Sequence, residues 1–279
     1  MAISESEVAA ARAELSDLQK KHIEQLGSPC NNAQSVAALG LENSYRLQAI
    51  LSFAADGDAD GFFHAMYLAA AVRRRFLRCV RRGMRARKSD LLLSRDAGIQ
   101  EALCSGEARV LHDLVRDKLT LESDRDEDSA YAPLFALGVR LMCMGQHEKA
   151  KDPLQAFERE RGAAMEPHAR IARAVLDSDF VLFNDGLTAL LREREAALTT
   201  EDETVPLVER LLAVEGLALA RLGTLSGIPV TVESPLLPKA LLGAAKSPYP
   251  DEDALWPPIP ETFTDALGDA DSLAEEESV

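Results

Sequence analysis

The run Asp56-Gly57-Asp58-Ala59-Asp60-Gly61 carries the most suggestive chemistry in the chain. Carboxylates at positions 1, 3 and 5 followed by a glycine at 6 are what a calcium loop between two helices uses to surround a hard cation with oxygen. The ninth and twelfth positions are His64 and Tyr67, so no bidentate Glu completes the shell. The same spacing serves a helix start, where Asp58 or Asp60 accepts backbone N–H groups at the positive end of the helix dipole. That structural role is the expected one, and no metal is expected.

Other chemistries lack their parts. Cys30, Cys79, Cys104 and Cys143 are at least 25 residues apart, and none of the five histidines sits in an HExxH; closely spaced zinc ligands are therefore missing. They read as reduced core thiols. His22-Ile23-Glu24 followed by Pro29-Cys30 approaches a zinc deaminase pattern, but Ala33 stands where its second cysteine should be. There is no GxSxG elbow for a nucleophilic serine, and no GxxxxGK[ST] or GxGxxG to cradle phosphate. Catalytic residues, cofactors and a small-molecule substrate are accordingly not expected, and the chain is read as a non-enzyme.

The strongest electrostatic feature is basic. Arg73, Arg74, Arg75, Arg78, Arg81, Arg82, Arg85, Arg87 and Lys88 crowd into sixteen residues, while Glu122, Asp124, Asp126, Glu127 and Asp128 form an opposed acidic connector. Phosphates could bind such a run. Phe76 is its only ring, and a solvated face balanced by the connector is the commoner arrangement, so nucleic acid is not the expected partner. Overall the 279 residues carry a net charge of −15, with ten acids and no Lys or Arg after Lys246. Generic nucleic-acid coating is thereby disfavoured.

The elements that must position these groups read as helices. Aromatics are only 5% of the chain, and its apolar positions recur at helical spacing. The spacing predicts helices over 5–26, 33–54, from the Asp56 region to about 87, and over 95–120, 130–144, 147–160, 166–176, 179–197 and 205–222. In the third, Phe63, Met66, Tyr67, Ala70, Leu77, Val80 and Met84 make the packing stripe, with Arg74, Arg78, Arg81 and Arg85 on another face. Short polar turns at Asp56, Gly145 and Ser178 separate helical pairs. Such pairs must stack, because one hairpin cannot bury its apolar face alone. After Leu222 an extended strip is expected near 228–238. Pro248, Pro250, Pro257, Pro258 and Pro260 then forbid regular helix. Trp256 and Phe263 are positioned to tack this proline-rich part onto the body. No stretch is apolar enough to span a membrane, Arg140 interrupting the best candidate, and the N-terminus lacks a secretory pattern.

Three segments together resemble the immunity protein 49 family of bacterial polymorphic-toxin systems. They are Leu51-Ser52-Phe53-Ala54-Ala55-Asp56-Gly57-Asp58 leading into Phe62-Phe63 and Ala69 to Ala71; Val175-Leu176-Asp177-Ser178-Asp179-Phe180; and, most specific, Ile228-Pro229-Val230-Thr231-Val232-Glu233-Ser234-Pro235-Leu236-Leu237-Pro238-Lys239-Ala240-Leu241-Leu242. The resemblance implies a protein kept in the producing cell that binds a cognate secreted toxin domain and blocks it stoichiometrically.

The expectations are therefore these. The fold is all-α, an irregular stack of antiparallel helical hairpins akin to a tetratricopeptide solenoid or a bundle. Residues 1–246 form one helical domain, and 247–279 a proline-rich acidic tail, largely disordered at its end. The protein is cytoplasmic and binds a toxin domain, for example a basic nuclease or another effector acting in the cytoplasm, by blocking its active site or a needed surface. Asp56, Asp58, Asp60, Glu122, Asp124, Asp126, Glu127 and Asp128 are the candidate contacts, since acidic loops steer a basic partner. The alternative is a tetratricopeptide-like adaptor that holds a protein or peptide.

Overall fold

A computed structural model describes residues 4–87, 90–91, 98–117, 119, 131–161, 166–199 and 210–264. Among these the chain is all-α. Its helices are α1 (Glu5–Gln25), α2 (Asn31–Asp56), α3 (Ala59–Arg81), α4 (Ile99–Ser105), α5 (Ala108–Val115), α6 (Tyr131–Cys143), α7 (His147–Arg161), α8 (Glu166–Asp177), α9 (Phe180–Thr199), α10 (Val214–Leu225) and α11 (Glu252–Leu255), with a 3-10 turn at Lys239–Leu242. No strand is formed among the described residues, and the strip expected to be extended over 228–238 is irregular chain that turns at 235–236, closed by an isolated bridge between Ser234 and Leu237.

Local chemistry fixes the helix ends. Ser4 and Glu7 form a reciprocal capping box at the start of α1. Asp58 caps α3 by accepting the Gly61 N–H at 2.9 Å, the role expected from its spacing. Helices α1–α2, α2–α3, α6–α7 and α8–α9 pack as sequential hairpins, and α4 bridges α3 to α10. One continuous core results, running from Leu41 and Phe62 through Leu103 and Val139 to Phe183 and Leu217.

The single helix expected over 95–120 is instead two, α4 and α5, broken at Gly106 (φ 77°). A left-handed residue ends a helix, and Glu107 restarts the next by accepting the Val110 N–H. The break is also occupied: a Cβ on Gly106 would lie 2.2 Å from Arg221 Nη2. Arg221 is buried there and donates to the carbonyls of Leu103, Leu242 and Gly243. Periodicity alone could not register an arginine of α10 seated on the α4 terminus. Arg140, which interrupts an apolar run in α6, is fully buried and donates to the carbonyls of Val115 and Asp117 beyond α5. Both arginines satisfy helix-terminal carbonyls that lack intrahelical partners.

The segment 244–264 returns along α3. Asp60 accepts the Lys246 N–H at 2.7 Å and the Ser247 hydroxyl at 2.9 Å. The Tyr249 ring stacks on Tyr67 at 4.7 Å, and the Tyr67 hydroxyl donates to the Pro250 carbonyl at 3.2 Å. Trp256 is buried, and Thr264 exchanges backbone hydrogen bonds with Pro29 and Asn31 at the start of α2. Residues 265–279, the expected disordered end, lie outside the described residues.

Candidate partner-binding surface

The acids expected to meet a partner have separate duties. Asp56 pairs with Arg12 of α1, Asp58 caps α3, and Asp60 fastens 244–264 to α3. The two hydrogen bonds from that segment, the backbone one first, hold the Asp60 carboxyl below the usual carboxylate range. Glu122, Asp124, Asp126, Glu127 and Asp128 lie outside the described residues. Among the described residues no group of three or more metal-binding side chains converges.

The start of the basic run departs from a solvated face. Arg73, Arg74 and Arg75 are buried, because α2, α4, α5 and the returning segment enclose α3 on several sides. Arg74 is bracketed by Asp113, at 2.9 Å, and Glu252. Arg81 reaches the buried Asp117 at 2.8 Å. Arg73 lies over the Phe76 ring, 5.3 Å from its centroid, and 3.9 Å from Glu42. Burial pushes the Glu42 carboxyl up to about 7, since Arg73 and Arg46 only partly offset the lost hydration and Glu101 adds a like charge. Glu101 itself pairs with Arg46 at 3.0 Å and accepts the Gly98 N–H at the start of α4. This charge network ties α2, α3 and α4 together.

A second polar place is a cleft of about 430 Å³ between α2, α4, α9 and α10, with Arg46, Glu193, Arg194 and Glu215 among its walls. A hydrogen bond from His168 holds the Glu215 carboxyl below its ordinary value. The cleft offers charge, and one of its two acids, Glu215, is already engaged.

Of the six large apolar side chains exposed among the described residues, three belong to α9 and α10. Phe180 (55% exposed) and Val181 (54%) begin α9, and Leu225 (62%) ends α10. Ser178 turns the chain in the left-handed region (φ 56°), and Asp179 caps α9 by accepting the N–H groups of Val181 and Leu182, each at 3.0 Å. That cap directs Phe180 and Val181 into the first, outward turn. Gly223 lets the two helices approach, since a Cβ there would lie 2.4 Å from the Phe183 ring. Asn184 locks the strip to the same end, donating to the Pro229 carbonyl at 3.0 Å and accepting the Thr231 N–H at 2.8 Å. Asp177, Asp179 and Asp185, close in sequence to Phe180 and Val181, are exposed. Large side chains left in water beside acids mark a surface for a partner. The sequence pattern of the Val175 to Phe180 hairpin pointed to this turn, but not to the exposure of Phe180, which reads as an ordinary helical apolar position.

The class is thus an all-α stack of helical hairpins with exposed apolar side chains and acids near the start of α9. Residues 108–241, just under half of the chain, match the family model of Immunity protein 49, which supports assigning the chain to that family. The matched region holds the 175–180 hairpin and the strip, while α1 to α4 and the segment after Leu241 lie outside it. Neither the curated proteins nor the solved structures yield a match. No helix among the described residues is long and apolar enough to cross a membrane.

Proposed function

We propose that this protein neutralises a cognate bacterial toxin domain by binding it stoichiometrically in the cytoplasm, and that it performs no chemistry of its own. The observation that carries the reading is the family match over 108–241, with Phe180, Val181 and Leu225 exposed inside it. These side chains form the centre of the contact, where apolar burial supplies affinity. Asp177, Asp179 and Asp185 form its rim and favour a basic toxin. The matched region also contains the acids at 122–128, which add charge that speeds encounter. Rigidity suits the task, because helices locked by the α9 cap and the Gly223 contact lose little freedom on binding.

The test is a titration of the toxin domain captured by the tagged protein from its own cell, identified by mass spectrometry, against the wild-type protein and the Phe180→Asp/Leu225→Asp double variant. The wild type is expected to bind one to one. The double variant is expected to bind at least about 100-fold more weakly, a loss of about 2.7 kcal/mol, with an unchanged melting temperature. Equal affinity of both proteins would move the interface elsewhere.

A further inference from the structure

Ion pairing within the fold leaves part of the basic face of α3 without a partner. Arg75, Arg78 and Arg82 follow at three- and four-residue steps and so share one side of the helix. With Asp253, Trp256 and Pro257 they line a cleft of about 530 Å³ between α3 and the returning segment. Glu252 lines the same cleft and is engaged by Arg74. Among the described residues no carboxylate lies within ion-pair reach of Arg75, Arg78 or Arg82. Arg75 is only 7% exposed, its Nε finds no hydrogen-bond partner, and its Nη2 donates a long bond of 3.4 Å to the Leu26 carbonyl. Burial above all disfavours the positive charge on both Arg75 and Arg78; neighbouring guanidiniums add to that, and the Asp253 carboxylate offsets part of it. A buried donor without an acceptor costs stability, and so do three neighbouring like charges that Asp253 only partly offsets. An anion in the cleft would relieve both at once.

We propose that this cleft binds a small phosphate-bearing ligand, the guanidiniums of Arg75, Arg78 and Arg82 holding the phosphate and the wall at 256–259 covering its apolar part. A carboxylate has two oxygens and one charge, enough for one guanidinium fork. A phosphate offers three oxygens and nearly two charges, which suits three guanidiniums lining one cleft. The volume falls within the range of small-molecule sites. Its surroundings favour a small ligand over a nucleic-acid strand. The adjoining cleft beyond Arg78 adds two further acids, Glu107 and Asp251, against Arg109 and the already paired Arg74, so positive charge does not continue along α3 as a polyanion would need. This site stands apart from Phe180 and Leu225, so it holds or fails independently of toxin binding.

Calorimetric titration of the full chain with inorganic pyrophosphate and with ADP, at constant ionic strength, tests the proposal. One-site binding with a Kd below about 1 mM is expected for at least one of them. Arg78→Gln and Arg82→Gln should each weaken it at least about tenfold. Arg173→Gln, which removes only an exposed pair with Glu158, should leave it unchanged. Arg82 is exposed, so its replacement tests the site even if the Arg78 variant folds poorly. Absence of saturable heat with both probes would overturn the proposal, as would equal binding by wild type and both variants. A single-stranded RNA that binds at this site more tightly than ADP would overturn the small-ligand assignment.

Discussion

Glu42 gives the sharpest thermodynamic prediction. Its carboxyl is buried beside Arg73, at 3.9 Å, and near Glu101, and it keeps its proton up to about pH 7 in the folded protein, against 4.5 when free. The folded state therefore binds more protons than the unfolded state throughout that window, so this group's contribution to stability falls as pH rises from 4.5 to 7. Each unit corresponds to about 1.4 kcal/mol, or about 3 kcal/mol across the window. Arg73's attraction is already included in that balance: the pair does not repay the hydration it gives up. Glu42→Gln keeps the shape and removes the titration. Urea unfolding followed by circular dichroism from pH 5 to 8 should show the variant gaining on the wild type by about 3 kcal/mol as pH rises. Comparing the two proteins cancels the other titrating groups. A gap that stays constant with pH, or that widens in favour of the wild type, would refute the reasoning.

Three further outcomes follow from the described contacts. Asp58→Ala removes the α3 cap and should cost about 1 kcal/mol in urea unfolding, whereas Asp60→Asn should mainly raise hydrogen exchange at 244–264, whose anchoring bonds it weakens. Gly106→Ala forces a Cβ into a left-handed residue and onto the Arg221 guanidinium; a loss of roughly 2 kcal/mol or more is expected, and an unchanged denaturation midpoint would contradict the placement of Arg221. Millimolar calcium should leave the melting temperature unmoved, because Asp58 and Asp60 already serve a helix cap and a chain contact; a rise of several degrees would restore the cation reading of Asp56 to Gly61.

Much of the helical frame was legible because its signals are local. The expected spans 130–144, 147–160, 166–176 and 179–197 correspond to α6 to α9, where turn residues punctuate helical periodicity. The α4–α5 break was not visible, since it depends on Gly106 receiving an arginine more than a hundred residues away. Only the first three arginines of the run depart from the expected solvated face, and for a related reason. The buried Arg73 and Arg74 meet Glu42, Asp113 and Glu252 from three other places in the chain, and no periodicity reports such pairings. Composition located the acids but could not assign their duties. Asp56 faces Arg12 and Asp60 faces 246–247 only once the chain has folded. Conversely, the exposure of Phe180 and Leu225 is a tertiary outcome, set by where the α9–α10 junction ends against solvent.

The central claim is that this chain acts by covering another protein. Mixing it with the toxin domain that co-purifies with it from its own cell, and measuring complex mass by light scattering alongside residual toxicity, addresses that claim most directly. One-to-one mass and complete loss of toxic activity at one equivalent are predicted. A toxin that stays active and unbound in the presence of excess protein would contradict it.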